Sequence, residues 1–224
     1  MKPTINEIEI AKKIVNELID HDFFDAIICR DNENLYSWLN DYKDYLKERN
    51  LIVTCGETKA CILSNELTDW VIKVGFVDYN EDTKINTVDF CAIEAGNYKD
   101  AVEEGLGDFF AASYELCKVT PESFDFDGDV TFYIQERAEP DEDKTSSTCE
   151  VYMNSKCSND EEEDYCDDYI EYDDYDRIES LFGEDKRFFD LYDFINDWKI
   201  NDLHSGNFGY TKDGRVKIID YSGY

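Results

Sequence analysis

The segment NDLHSGNFGYTKDGRVKIIDYSGY, residues 201–224, spaces three oxygen donors along a short stretch. Asp202 is followed by Asn207 five residues on and by Asp220 thirteen after that. FGY and RVKIID flank TKDG, whose Asp213-Gly214 pair marks a hairpin turn. A hairpin brings its two ends together, so Asn207 and Asp220 are expected side by side, with the preceding polar loop folding Asp202 over the same point. Two adjacent oxygen donors with a third nearby suit Mg²⁺, a hard cation that prefers oxygen ligands and keeps positions for substrate phosphates. A polar loop and hairpin holding no ligand fits the same spacing.

The elements that must position these groups follow from periodicity. Residues 4–20 read as a helix capped by Thr4 or Asn6, with an apolar stripe through Ile8, Ile10, Ile14, Val15, Leu18 and Ile19. Residues 33–48 repeat the pattern through Leu35, Trp38, Leu39, Tyr42 and Leu46. From residue 51 the texture turns to strands: LIVTC, then ACIL after the turn GETK, then WVIKV at 70–74. Lys73 sits among apolar neighbours there, unusual for a lysine without a partner. DFCAIEAGNYKDAVEEGLGDFFAA reads as a helix, and SYELCKV and VTFYIQE as a strand pair around TPESFDFDGD, with a turn at Asp127-Gly128. DRIESLF and KRFFDLYDFINDWKI read as helices before the final hairpin.

Between them, Pro140 to Asp176 holds 15 acidic residues and 2 lysines, which is −13 of the chain's formal charge of −32. Mutual repulsion is expected to keep at least its first half open, as a solvated insertion or as a partner-binding arm. The net charge argues against direct binding to nucleic acid or to anionic membranes, both of which need clustered Lys and Arg. It allows a surface that competes for a basic partner. No apolar run reaches the roughly 18 residues of a membrane span, and the N-terminus lacks the pattern of a signal peptide. The eight cysteines include no C-x-x-C pair, and the first five lie in or beside apolar runs. They read as small buried hydrophobes in a reducing compartment, and the expected location is cytoplasmic.

The terminal segment resembles the protein kinase-like superfamily, especially its aminoglycoside and small-molecule kinase branch. D-L-H-S-G-N is similar to that branch's catalytic loop, D-L-H-x-G-N, and I-D-Y-S-G looks like the metal-binding Asp-Phe-Gly element. Upstream, Lys73 in VIKV looks like the third-strand lysine that holds the α- and β-phosphates, and Glu94, twenty-one residues on, is placed like its helix partner. Gly56 in CGETKA takes the place of the nucleotide-covering loop, and FYIQE that of the strand leading to the hinge, where backbone around Ile134 to Glu136 would meet adenine. By this resemblance Asp202 orients or deprotonates the acceptor hydroxyl, while Asn207 and Asp220 hold Mg²⁺ on ATP. His204 reads as a loop-structuring residue. Ile200 and Asn201 stand before Asp202, where the family usually has His followed by Arg or Gly.

The fold the resemblance implies is α+β and bilobal: a helical extension over 1–50, an N-lobe with a five-stranded antiparallel sheet over 51–137, the acidic insertion over 138–176, and a reduced helical C-lobe over 177–224. Four residues follow Asp220 in the sequence, so the C-lobe is expected to end just after the Asp-Phe-Gly-like element, as in a minimal kinase. Residues 1–50 would either brace the small lobe or replace helices of the large one. Two functions stand against each other. One is an ATP- and Mg²⁺-dependent phosphotransferase acting on a protein hydroxyl, or on a small molecule. The other is an interaction protein, either a pseudokinase or an acidic inhibitor that binds a basic protein partner without catalysis.

Overall fold

A computed structural model describes residues 1–27, 32–56, 58–77, 88–121, 129–140, 178–200, 203 and 205–222. The fold is mixed, with a five-stranded antiparallel sheet and several helices. The chain divides into two compact units, Met1–Gly96 with Ala112–Arg137, and Asn97–Ala111 with Ala138–Tyr224.

The first unit begins with α1 (Ile5–Ile19). Thr4 caps it: the hydroxyl accepts from Glu7 N at 3.3 Å, and the Glu7 carboxylate accepts from Thr4 N at 2.7 Å. This reciprocal pair satisfies two amides that the first turn leaves unpaired. α2 (Phe23–Ile27), α3 (Asn32–Asp41) and α4 (Lys43–Glu48) follow. The single helix expected over 33–48 is thus kinked at Tyr42, although the backbone ladder runs through it, from Tyr42 N to Trp38 O and from Leu46 N to Tyr42 O. His21 is structural: Nδ1 lies 2.7 Å from Glu17 O, its ring stacks on Tyr45, and its carbonyl accepts from Trp38 Nε1.

The sheet contains β1 (Leu51–Cys55), β2 (Lys59–Ser64), β3 (Trp70–Gly75), β4 (Ser113–Val119) and β5 (Val130–Glu136), in the order β1-β2-β3-β5-β4. Side chains alternate between faces along each strand. Leu51, Val53, Ala60, Ile62, Trp70, Ile72, Val74, Phe132 and Ile134 form one core with Ala11, Ile14, Val15 and Leu18 of α1 and with Phe23, Leu35, Trp38 and Leu46 of the next three helices. The N-terminal helices therefore cover this sheet. Register puts the other residues of the central strands on the opposite face: Lys59 faces Gly75, Cys61 faces Lys73, Lys73 faces Tyr133, and Val71 faces Gln135. β3 is buried along its whole length, which explains its near-continuous apolar sequence.

The helix expected over 89–112 is shorter. It is α5 (Phe90–Glu103), whose first half belongs to the first unit and second half to the other. Gly105, at φ 79°, ends it: Leu106 N reaches back to Ala101 O at 2.7 Å and Gly105 N to Val102 O at 3.2 Å. A left-handed residue closing a helix this way favours glycine.

The second unit holds β6 (Glu139–Pro140), β7 (Phe208–Tyr210), β8 (Val216–Ile218), a helical segment over 178–182, and α6 (Phe188–Asp197). β6 pairs with β7, adding a strand to the expected hairpin. Buried Phe109, Phe110, Phe182, Leu191, Phe194, Phe208, Ile218 and Tyr221 make its core, with Phe110 edge-on to both Phe194 and Tyr221. Arg187 closes one side. Its Nη1 donates to Gly105 O at 2.9 Å, its guanidinium lies 4.6 Å from the centre of the Phe109 ring, and its bonds to Asp185 hold that carboxyl at about 2. The turn at Asp127-Gly128, the acidic stretch over 141–176, and Cys29, Cys149, Cys157 and Cys166 lie outside the described residues. Of the cysteines expected to be buried, Cys91 is, whereas Cys55, Cys61 and Cys117 are only partly buried, because they lie on strands at or near the margins of the sheet. Among the described residues, no helix is long and apolar enough to cross a membrane, and no cluster of His, Cys, Asp or Glu could hold a metal ion.

Leu18 has no exposed surface and sits at the centre of the helix–sheet core. Leu18→Ala is expected to destabilise the protein by about 2–5 kcal/mol, through lost transfer energy and a residual cavity. Urea unfolding followed by circular dichroism measures it.

Candidate functional site

Two groups of polar side chains are built into otherwise apolar surroundings, one in each unit. In the first unit the centre is Glu94, one turn into α5 and fully buried. A carboxylate there needs positive partners, because stripping its hydration costs several kcal/mol. Lys73 Nζ lies 3.1 Å from Oε2 and 3.4 Å from Oε1. Lys59, 5% exposed and at the start of β2, donates to Oε1 at 2.6 Å. Gln135 Nε2 lies 3.4 Å from Oε2. Three donors from three neighbouring strands of one sheet face thus converge on one helix residue.

The start of α5 is fixed by Asp89. Its Oδ1 accepts from the amides of Cys91 and Ala92, at 3.0 and 3.1 Å, and its Oδ2 from the Tyr133 hydroxyl at 3.0 Å. An acidic residue at this position both caps the helix and meets the positive end of its dipole. Gly75 permits the approach, since a Cβ there would stand 3.3 Å from Asp89 Oδ1. Burial, and then the negative charge of Asp89, push the Tyr133 phenol up. Burial, and then the charge of Glu94, push the Cys91 thiol well above its usual range, so it stays neutral and unreactive.

Gly56 is exposed in the β1–β2 turn. Its amide donates to Lys59 O at 3.0 Å, and a Cβ there would meet nothing within 4 Å. Ile134 lies inside β5, opposite Ile72 on one side and Tyr114 on the other. Glu136 N donates to Ala112 O at 2.7 Å, and the Glu136 carboxylate accepts from Ala112 N at 3.3 Å. The sequence patterns named Lys73, Glu94, Gly56, Ile134 and Glu136. They missed Lys59, Asp89 and Tyr133, whose places depend on strand register and on where α5 starts. The one local signal for Lys59 is a lysine heading the apolar run ACIL.

In the second unit the β7–β8 hairpin carries Asn207 and Asp220 at its open end. Gly214, at φ 82°, closes the turn, where Thr211 N donates to Arg215 O at 2.9 Å. Phe208 pairs with Ile218, and Ile219 N donates to Asn207 O at 2.8 Å, so the backbone at Asn207 lies against the residue before Asp220. The Asn207 side chain is buried in a 3-10 turn over Ser205–Asn207. Asp220 is half-buried and accepts from Ser222 Oγ at 3.3 Å. Tyr221 fixes the next position: its carbonyl accepts from Asn97 Nδ2 at 2.8 Å and its hydroxyl donates to Ala111 O. Lys217 is buried and donates to Asp108 O at 2.7 Å. Asp202 and His204 lie outside the described residues. An amide and a carboxylate are hard oxygen donors, a set that fits Mg²⁺ and does not suit softer metals.

No family model matches this chain, and no curated protein matches it. Among solved structures, the bifunctional kinase-methyltransferase WbdD aligns over 75% of this chain at 12% identity and a TM-score of 0.33. The chain spans 30% of that protein's chain, and an overlap this shallow assigns neither fold nor function.

Removing Glu94 leaves two ammonium groups buried without their shared counter-ion. Glu94→Ala is expected to cost about 3–5 kcal/mol. Glu103→Ala, which breaks only the exposed Lys99–Glu103 pair, is expected to cost under about 1 kcal/mol. Equal losses in denaturant titration would mean that Glu94 is not the electrostatic centre of its unit.

Proposed function

We propose that the protein is an ATP- and Mg²⁺-dependent phosphotransferase of bilobal, kinase-like type. The observation that carries the reading is the buried contact between Lys73 and Glu94, a third-strand lysine held by the following helix at 3.1 Å across twenty-one residues of sequence. The kinase resemblance requires that pairing, and it forms although Glu103 and Glu104 lie on the same stretch of chain.

Phosphoryl transfer asks the protein mainly for placement and charge neutralisation. Lys73, oriented by Glu94, would hold phosphate oxygens. Gly56 would let the β1–β2 turn lie close over the nucleotide, and the end of β5, from Ile134 to Glu136, would lead to the base. Asn207 and Asp220 would hold Mg²⁺, which neutralises the phosphates of ATP when bound. Asp202 would accept or orient the proton of the attacking hydroxyl. That oxygen forms the new bond to the γ-phosphorus, and ADP leaves with the electrons of the broken bond. A protein hydroxyl is the acceptor we favour, with a small-molecule hydroxyl as the other candidate.

One observation favours a second reading, an acidic interaction protein: the formal charge of −32. A strongly negative surface raises the association rate with a basic partner and makes binding steeply dependent on salt.

Calorimetric titration of ATP with and without Mg²⁺ tests the first reading. Wild type is expected to bind in a Mg²⁺-dependent way, and Asp220→Ala to weaken that binding by about tenfold or more, the effect of losing one charged ligand. Absence of ATP binding by the wild type would overturn the phosphotransferase. Deletion of residues 141–176 separates the two readings: nucleotide affinity is expected to survive it within about twofold, whereas an acidic mimic would lose its basic partner.

A further inference from the structure

α6 carries a large aromatic side chain on the side that faces away from its core. Phe188, Leu191, Phe194 and Ile195 are buried and make the inner side of the helix. At about 3.6 residues per turn, Phe189 falls opposite to them, and it is 69% exposed. Tyr192, half-buried, stands beside it one turn on. Asp190, Asp193 and Asp197 run along the same outer side, and all three are exposed. Their spacing makes like charges neighbours on the helix surface, where they repel. Asp197 also lies in the last turn, where the helix dipole disfavours an anion, and no basic residue stands in that turn. Among the described residues, no ion pair reaches any of the three. The row therefore costs the isolated chain stability and returns none. At the start of the same helix, Asp108, Glu184, Asp185, Lys186 and Arg187 line an open cleft of about 580 Å³, three carboxylates against two cations. Arg187 is already bound to Asp185 through Nε and Nη2, at 3.1 and 3.0 Å.

We infer that the outer side of α6 is a docking surface for a basic amphipathic helix of a partner protein. An apolar side chain of that helix covers Phe189 and Tyr192, and its lysines or arginines meet Asp190, Asp193 and Asp197. This surface deepens the acidic interaction reading, on which its basic partner rests, by giving that partner one place on the fold. Charge decides the occupant. A second copy of the chain brings a formal charge of −32 to a face that is already acidic. The stretch from Pro140 to Asp176 brings 15 acidic residues and 2 lysines, so it too meets the row with like charge. A basic segment relieves the repulsion instead, and a helical one repeats the period of the row and sets cations along it. Cover of the exposed ring supplies affinity, and the aspartates supply association rate and choice of partner. One helix side is a small contact area, which suits a transient complex.

The test titrates the full-length chain into fluorescein-labelled peptides and follows anisotropy. The probe is a helical peptide of leucine and lysine with leucine on one side; a leucine–glutamate peptide of the same pattern and a lysine-only peptide are the comparisons. Wild type is expected to bind the leucine–lysine peptide best. Phe189→Ala is expected to weaken that binding by about tenfold, the effect of truncating a central aromatic anchor. The triple variant Asp190→Asn, Asp193→Asn, Asp197→Asn is expected to weaken it by about tenfold at low salt and to flatten its salt dependence. Asp41→Asn, Asp44→Asn and Glu48→Gln together remove as much charge from exposed positions of α3 and α4, and are expected to change the affinity less than about twofold. Equal losses in the two triple variants, or no loss in Phe189→Ala, overturn the α6 surface and leave the acidic interaction reading standing. So does a lysine-only peptide that binds as well as the leucine–lysine one. A wild type that binds neither lysine peptide overturns both. Equal binding of the leucine–glutamate peptide overturns the basic partner, and a dimer in sedimentation velocity that Phe189→Ala dissolves assigns the face to a second copy instead.

Discussion

Glu94 has no exposed surface, and a buried carboxylate must be neutralised where it stands. That requirement organises the first unit. It places lysines on two adjacent strands, since a single strand presents one side chain to a face only at every second residue. It draws Gln135 in from a third strand. It also fixes how α5 lies against this sheet, because Asp89, one turn earlier, is tied both to the helix amides and to Tyr133 of β5. The face has two anchor points along the helix, one charged and one capped, and Gly75 clears room between them.

The opposite face of the same sheet obeys a different constraint. It is mostly apolar and covered by α1 to α4, whose buried side chains join it in one core. An apolar layer behind a polar face fixes the register of its strands, because a slip of one residue would expose the core side chains and displace the lysines. The N-terminal helices supply that layer, and the Thr4–Glu7 cap and the Glu17–Arg49 bonds tie their ends.

In the second unit the backbone holds the segments that carry Asn207 and Asp220. Asn207 is held through its carbonyl by Ile219, and the residues after α5 hold the strand that leads to Asp220: Ala111 N donates to Ile218 O and Ile218 N to Phe109 O, both at 2.9 Å. Asn97 of α5 then fixes Tyr221. Hydrogen bonds to the main chain constrain position without selecting side-chain chemistry.

Local pattern was enough, in the sequence alone, for those features whose physics is local. The α1 stripe and its Thr4 cap, the five strands, the Asp213-Gly214 turn and the anomaly of a lysine inside VIKV all arise from neighbours within a few residues. The lysine inside VIKV called for an acidic partner, but Glu94 was singled out from Glu103 and Glu104 only through the kinase resemblance, which places a helix carboxylate about this far after the third-strand lysine. What only the tertiary structure decided depends on register and on where elements end. Lys59 meets Glu94 because β2 pairs with β3 one particular way; a slip of one residue would turn it to the other face. The extra strand Glu139–Pro140 follows from its pairing with Gly209 and Tyr210, which no short window contains. Charge, period and turn chemistry are written along the chain, whereas convergence of three strands on one buried carboxylate is a property of the sheet.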